Sequence, residues 1–268
     1  MPDTILLAPT PMLDFRHQRI ARLIDERRWR DLPKAERIGA AYEFVRNEIR
    51  FGYNDSDLLT ASQVLADGYG QCNTKATLLM ALLRALDIPC RLHGFTIDKA
   101  LQRGIVPEAV YWLAPRDILH SWVEVEHEGR WINLEGFILD GPVLASLQAA
   151  FPGRTSLCAY GAGTDCLPDP GVEWKGGDTY IQKTGINRDL GVFDSPDAFY
   201  GQHRQQLSGL RDLLYRRFVR HWMNRRVAGI RAGRVPVIPG GDGNLAPSIA
   251  LPSPPIAEAG RPAPWVPG

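Results

Sequence analysis

The sequence predicts an α+β fold: a central helix packed on an antiparallel sheet, followed by a C-terminal helical extension. Three observations predict it. Residues 72–86 carry Ala76, Leu79, Met80, Leu83 and Leu86 at helical spacing. Residues 118–126 and 130–134 read as strands joined by His127-Glu128-Gly129, a hairpin turn with glycine where a positive φ is favoured. Residues 196–231 read as mostly helical.

The elements follow in order. Residues 14–31 and 33–50 read as two helices separated at Leu32-Pro33, with Pro33 suited to a first turn. In the second, Ile38, Ala41, Tyr42, Val45 and Ile49 make one apolar face. A short helix at about 60–67 has Thr60 as N-cap and ends at Gly68-Tyr69-Gly70. Asp87-Ile88-Pro89 stops the central helix, and residues 90–97 read as a strand. Residues 98–116 are polar and ambiguous. Residues 141–150 read as a helix, and 151–194, rich in Gly, Pro and Asp, as an irregular excursion. From 232 onward Pro and Gly supply 15 of 37 residues without periodicity. The organisation expected is one domain at 1–231, with its core at about 35–140, and a disordered tail at 232–268.

Composition excludes several classes. Lys plus Arg (31) nearly balance Asp plus Glu (30), so charge makes no case for nucleic acid as a partner. No apolar run approaches the ~20 residues of a membrane span. The start of the chain lacks a secretory pattern, and four cysteines are too few for a disulfide scaffold and suit no zinc site. A reduced, cytoplasmic protein is expected, with Cys90, Cys158 and Cys166 structural or free.

Cys72 stands apart. It follows Gly68-Tyr69-Gly70-Gln71 and opens the strongest helix. A helix N-terminus favours thiolate, the nucleophilic form, and its free N–H groups suit a developing oxyanion. The competing reading is a small buried residue at a helix start. A cysteine nucleophile needs a base oriented by a third group. His120 opens one arm of the hairpin and Glu135 ends the other, which makes them candidate cross-strand neighbours, or a plain surface pair.

The run Gly68-Tyr-Gly-Gln-Cys72 through Asp87-Ile-Pro89-Cys-Arg91 resembles the transglutaminase-like superfamily, of the bacterial type. So does the block His120-Ser-Trp122-Val-Glu124-Val through Trp131-Ile-Asn-Leu-Glu135. The resemblance implies a papain-like core and a Cys–His–Asp triad carried onto Cys72, His120 and Glu135. Glu135 stands where the family usually has Asp, and Asp140 is the alternative orienter. It implies cysteine-dependent acyl transfer or amide hydrolysis through a thioester, on a peptide, protein, amide or thioester substrate. No metal or organic cofactor is implied.

Tyr69, Gln71 and Trp122 are candidate oxyanion or substrate residues, against loop capping for Gln71 and hairpin packing for Trp122. His93 reads as structural or substrate-facing. Residues 204–234 hold nine Arg and one acidic residue, Asp212. There Leu207, Leu210, Leu214, Phe218 and Trp222 form a stripe expected to dock the helix. The sharper reading is a surface for an acidic partner, and the second functional class is a non-catalytic binding or scaffold module using it. Residues 178–194 are rich in specific polar groups and read as a substrate-side loop.

Overall fold

A computed structural model describes residues 4–205 and 209–239. Its first third is helical: α1 (Gln18–Glu26), α2 (Lys34–Asn47), a short strand β1 (Arg50–Phe51), α3 (Ala61–Asp67), β2 (Tyr69–Gly70) and α4 (Cys72–Ala85). α1 is shorter than the pattern predicts because Arg28 adopts a left-handed φ of 54°, leaving Trp29–Asp31 as a separate turn. α3 begins at a capping box: Thr60 Oγ1 accepts from the Gln63 N–H, and Gln63 Oε1 accepts from the Thr60 N–H. Gly68 ends it at φ 67°.

All 14 residues of α4 are buried. Such a helix can carry charge only where its polar ends are satisfied. Lys75 Nζ donates to the Ile138 and Arg46 carbonyls, and Arg84 donates to the carbonyls of Ile5, Ala8, Cys90 and Asp194.

Next come β3 (Cys90–Asp98), the short helix α5 (Glu108–Tyr111), β4 (Asp117–His127), β5 (Arg130–Leu134) and α6 (Gly141–Ala150). The chain continues through the hairpin β6 (Leu157–Ala159) and β7 (Ala162–Thr164), then β8 (Ile186–Phe193), α7 (Pro196–Gln202), α8 (Gly209–Leu214) and α9 (Arg220–Arg231). The main sheet is antiparallel in the order β5–β4–β3–β8. Strand alternation divides its residues between two cores. Cys90, Leu92, Val123 and Val125 join the main core with α4, whereas Phe95, Ile97 and Trp122 form a second cluster with Leu101 and Ile186. Among the described residues, no helix is long and apolar enough to cross a membrane.

Three expectations need correction. Residues 151–194 are not merely irregular: they supply β6, β7 and the fourth main-sheet strand, β8. β8 hid because register shifts at Gly94/Phe95 and Thr96/Ile97 break its alternation, and only its first residue, Ile186, is fully buried. The stripe expected to dock the C-terminal helix faces solvent at Phe218 and Trp222, which are 67% and 51% exposed; Leu207 lies outside the described residues. The residues that dock are Met223, Val227 and Ile230. A π-helical turn at Tyr215–Val219 causes this, since its wider turn rotates the face that follows. The ordered chain also passes residue 231: Ile238 is buried, and Tyr160 Oη donates to the Pro236 carbonyl. The expected disordered tail falls, from residue 240, outside the described residues.

Candidate active site

Cys72 is the first residue of α4, and the turn before it is rigid. The Gln71 N–H donates to Thr74 Oγ1, whose hydroxyl donates to Asn54 Oδ1. Asn73 fixes the helix to the sheet: its Nδ2 donates to the Leu119 carbonyl, and its Oδ1 accepts from the Ser121 hydroxyl. This joins the start of α4 to the part of β4 that carries His120.

His120 and Glu135 are both fully buried and meet at 3.0 Å, Nε2 to Oε1. The hairpin explains how. Its last register pair is Val123 with Leu134, so the next step would set Glu135 opposite Trp122. Glu135 is therefore diagonal to His120 rather than directly across, a separation that a long side chain closes. Beyond Leu134 the chain pairs with Thr179, whose carbonyl accepts the Glu135 N–H. The second carboxylate oxygen, Oε2, accepts the N–H groups of Ile181 (2.6 Å) and Gln182 (2.9 Å). The polar segment at 178–194 thus begins as the clamp on the carboxylate.

The imidazole's other nitrogen, Nδ1, is buried without a hydrogen-bond partner of its own. Besides Glu135, the Cys72 thiol acts on the charge of the ring. Burial alone pulls the His120 pKa down. The adjacent Cys72 and the Glu135 carboxylate outweigh it and raise the pKa to about 9. The ring is accordingly held as imidazolium at neutral pH.

Asp140 occupies a different place. It caps α6 through the Val143 N–H (3.2 Å), accepts the Phe51 N–H (2.8 Å) and pairs with Arg231 at 2.6 Å. It ties α9 to the domain. Burial opposes its charge, but Arg231 and the Phe51 N–H outweigh burial and hold its pKa below the ordinary carboxylate value. Its stabilising contribution is therefore complete above about pH 4 and is lost as pH falls through the depressed folded value. Asp140→Asn should lower stability by about 3 kcal/mol, read as denaturant midpoint, because Arg231 loses its buried partner. The alkaline limb of any pH–rate profile should not move.

The other sequence candidates separate. Gln71 lines the cavity beside Cys72, but its amide braces the neighbouring loop, Oε1 accepting the Asn54 N–H and Nε2 donating to Asp57. Tyr69 and Trp122 are not among the residues lining that cavity. Trp122 lies tilted against Phe95, with ring centroids 4.1 Å apart, and meets Tyr180 edge-on, because alternation turns it into the second cluster. His93 is held between Glu124 (2.7 Å) and Asp189 (2.9 Å), with both ring nitrogens engaged. The second of these carboxylates comes from β8, which pairs with β3 beside it.

The structure adds Tyr200, on α7. It lines the cavity, is 3% exposed, and its hydroxyl is among the buried polar atoms without a hydrogen-bond partner. Ser121 lies near it, but the Ser121 hydroxyl already donates to Asn73. Burial, then Asp57 and Cys72, push the phenol well above its ordinary pKa, so it stays a proton donor. Nothing in the sequence marks this tyrosine, since α7 is brought to the site by the unread strand β8. Among the described residues, no group of three or more His, Cys, Asp or Glu side chains is placed to hold a metal ion.

Residues 22–136 match the transglutaminase-like superfamily, a match that supports cysteine-based catalysis. Among solved structures, the chain is similar to the "Putative Cysteine Protease from Cytophaga hutchinsonii", with 18% identity and a TM-score of 0.39 over 52% of this chain and 43% of that one. The chain thus spans less than half the length of that structure. Among curated proteins, none matches.

Proposed function

We propose, from the premise of a transglutaminase-like domain at residues 22–136, that the chain transfers or hydrolyses acyl groups through a thioester on Cys72. The observation that carries this reading is the buried line from thiol to imidazole to carboxylate, anchored at its far end by two backbone N–H groups. A scaffold module would have no use for a fully buried imidazole held charged against a thiol.

In this mechanism Cys72 Sγ attacks the carbonyl carbon and forms the C–S bond. The carbonyl oxygen takes the electron pair. The Tyr200 hydroxyl and the first-turn N–H groups of α4, which have no intrahelical acceptor, hold it. As the C–S tetrahedral adduct collapses, imidazolium gives its proton to the leaving amine or thiol. An incoming amine or water then attacks the thioester, His120 takes its proton, and thiolate departs. Glu135 orients the ring throughout.

The test is p-nitrophenyl acetate. A burst of p-nitrophenol, with one acetyl group mapped by mass to Cys72, is expected; a folded protein that gives neither would overturn the reading. Tyr200→Phe should lower kcat about 10²-fold to 10³-fold, the usual cost of one oxyanion donor. Alkylation of Cys72 by iodoacetamide, which forms no oxyanion, should keep its rate. Equal losses in both would make Tyr200 a packing residue instead.

A further inference from the structure

The cavity that exposes Cys72 says what kind of acyl group reaches it. It encloses about 330 Å3, within the range of small-molecule sites. Leu101, Val106, Leu113, Ile118, Val219 and Met223 contribute walls from the segment after β3, the start of β4 and the C-terminal helices. The ambiguous stretch at 98–116 thus has a position: it is a wall.

Reading a carboxamide needs a free donor and a free acceptor side by side. Most of the amide side chains bordering this cavity are committed to the protein; the exceptions are Gln102, with no side-chain hydrogen bond among the described residues, and the Oε1 of Gln182, which is buried without a partner. Gln71 holds Asn54 and Asp57, and Asn54 holds Thr74 and Asp67. Asn73 holds Leu119 and Ser121. Gln182 Nε2 donates to the Gly161 carbonyl, and Gln205 bonds the backbone of Leu119 and Asp117. Of the charged groups at the cavity, Arg216 meets Asp212 at 3.0 Å and Arg204 donates to the Tyr200 carbonyl, while Arg211 and Asp55 form no ion pair among the described residues. The larger part of the wall beside the nucleophile is apolar.

We infer that the acyl group carried by Cys72 is apolar, an aliphatic or aryl acyl chain lodged among Leu101, Val106, Leu113 and Met223, rather than a glutamine side chain or a polar peptide. The inference rests on the thioester reading above and specifies its donor. An apolar acyl group gains by leaving water, and each buried methylene is worth about a fourfold preference.

The probe is a series of N-acetylcysteamine thioesters from acetyl to decanoyl, set against a benzyloxycarbonyl-glutaminyl-glycine amide. Acyl-enzyme formation at Cys72 is followed by intact mass, and kcat/KM by thiol release. Expected is a rise of about fourfold per methylene over the first several carbons, then a plateau where the cavity is full. Leu113→Trp, at a half-buried wall, should bring that plateau forward to shorter chains. A profile flat in chain length, or a glutamine donor preferred over every thioester, would overturn the inference and leave the Cys72 thioester standing. Failure of every donor to acylate Cys72 in folded protein would overturn the thioester reading itself. A Leu113→Trp profile identical to that of the unaltered protein would remove this cavity as the acyl site.

Discussion

Cys72→Ala is expected to abolish acyl-enzyme formation and all turnover, with no comparable effect from removing any other cysteine. The four thiols are free, and their surroundings differ. Cys72 is at the N-terminus of α4, in the cavity wall and against the His120 ring. Cys90 is fully buried, its thiol pushed up to about 11 by burial despite Arg84 nearby, and it donates to the Met80 carbonyl. Burial likewise raises Cys158 to about 11. Cys166 is exposed and will consume reagent as any surface thiol does, so the comparison belongs in a Cys166→Ser background. In that background, limiting iodoacetamide at pH 6 should modify Cys72 first and almost alone. Modification spread evenly over Cys72, Cys90 and Cys158 would remove the nucleophile assignment. Cys72→Ala should cost little stability, because a small residue replaces a small one at a helix start.

The two ends of this site were unequally legible in the sequence. Cys72 could be read because a helix start is a local property: glycine punctuation, then Ala76, Leu79 and Met80 in period. His120 and Glu135 could be read because a tight turn brings the far ends of its two strands together, although the turn is only Glu128-Gly129, His127 pairing with Arg130. The diagonal offset and the clamp from Ile181 and Gln182 could not be read, since they depend on a pairing with Thr179 across 44 residues of chain. Tyr200 was invisible for a related reason. It reaches the cavity only because β8 adds to β3 with two register shifts, and a shifted strand carries no alternation to detect.

The apolar stripe at Leu214, Phe218 and Trp222 shows the opposite failure, a clear pattern with the wrong consequence. Helical periodicity predicts a face only while the helix keeps 3.6 residues per turn. The π-helical turn at Tyr215–Val219 breaks that condition, and Met223, Val227 and Ile230 become the buried set. Asn224 then bonds both the N–H and the carbonyl of Tyr53, so the C-terminal helix holds the loop that borders the nucleophile.

Glu135→Gln should lower kcat by about 10³-fold to 10⁴-fold while the fold persists. The substitution keeps shape and removes charge, but its larger effect is on the direction of a proton. Two backbone N–H groups, from Ile181 and Gln182, point at the position of Oε2. The Gln amide must place its oxygen there, because its NH2 would confront two donors. That turns the NH2 toward His120 Nε2, which must then accept, and the ring's proton moves to Nδ1. A neutral ring with its proton on the thiol side cannot take one from Cys72, the same tautomer error that costs the serine-protease triad about 10⁴. The pH dependence separates this from simple damage. In the unaltered protein the His120 pKa of about 9 exceeds the ~6.5 of an unfolded histidine, so the imidazolium's stabilising contribution is full below about pH 6.5 and is lost as pH rises through 9. The kcat/KM profile should accordingly fall on an alkaline limb near pH 9, where the general acid is lost. Removing the carboxylate removes one of the influences that raise the ring, so in Glu135→Gln that limb should shift toward neutral pH. Glu135→Asp keeps the charge on a shorter arm and should lose less, with the limb closer to its original place. A kcat and an alkaline limb that both stay put in Glu135→Gln, while Cys72→Ala remains inactive, would show that the carboxylate takes no part in catalysis and that Cys72 and His120 work as a dyad.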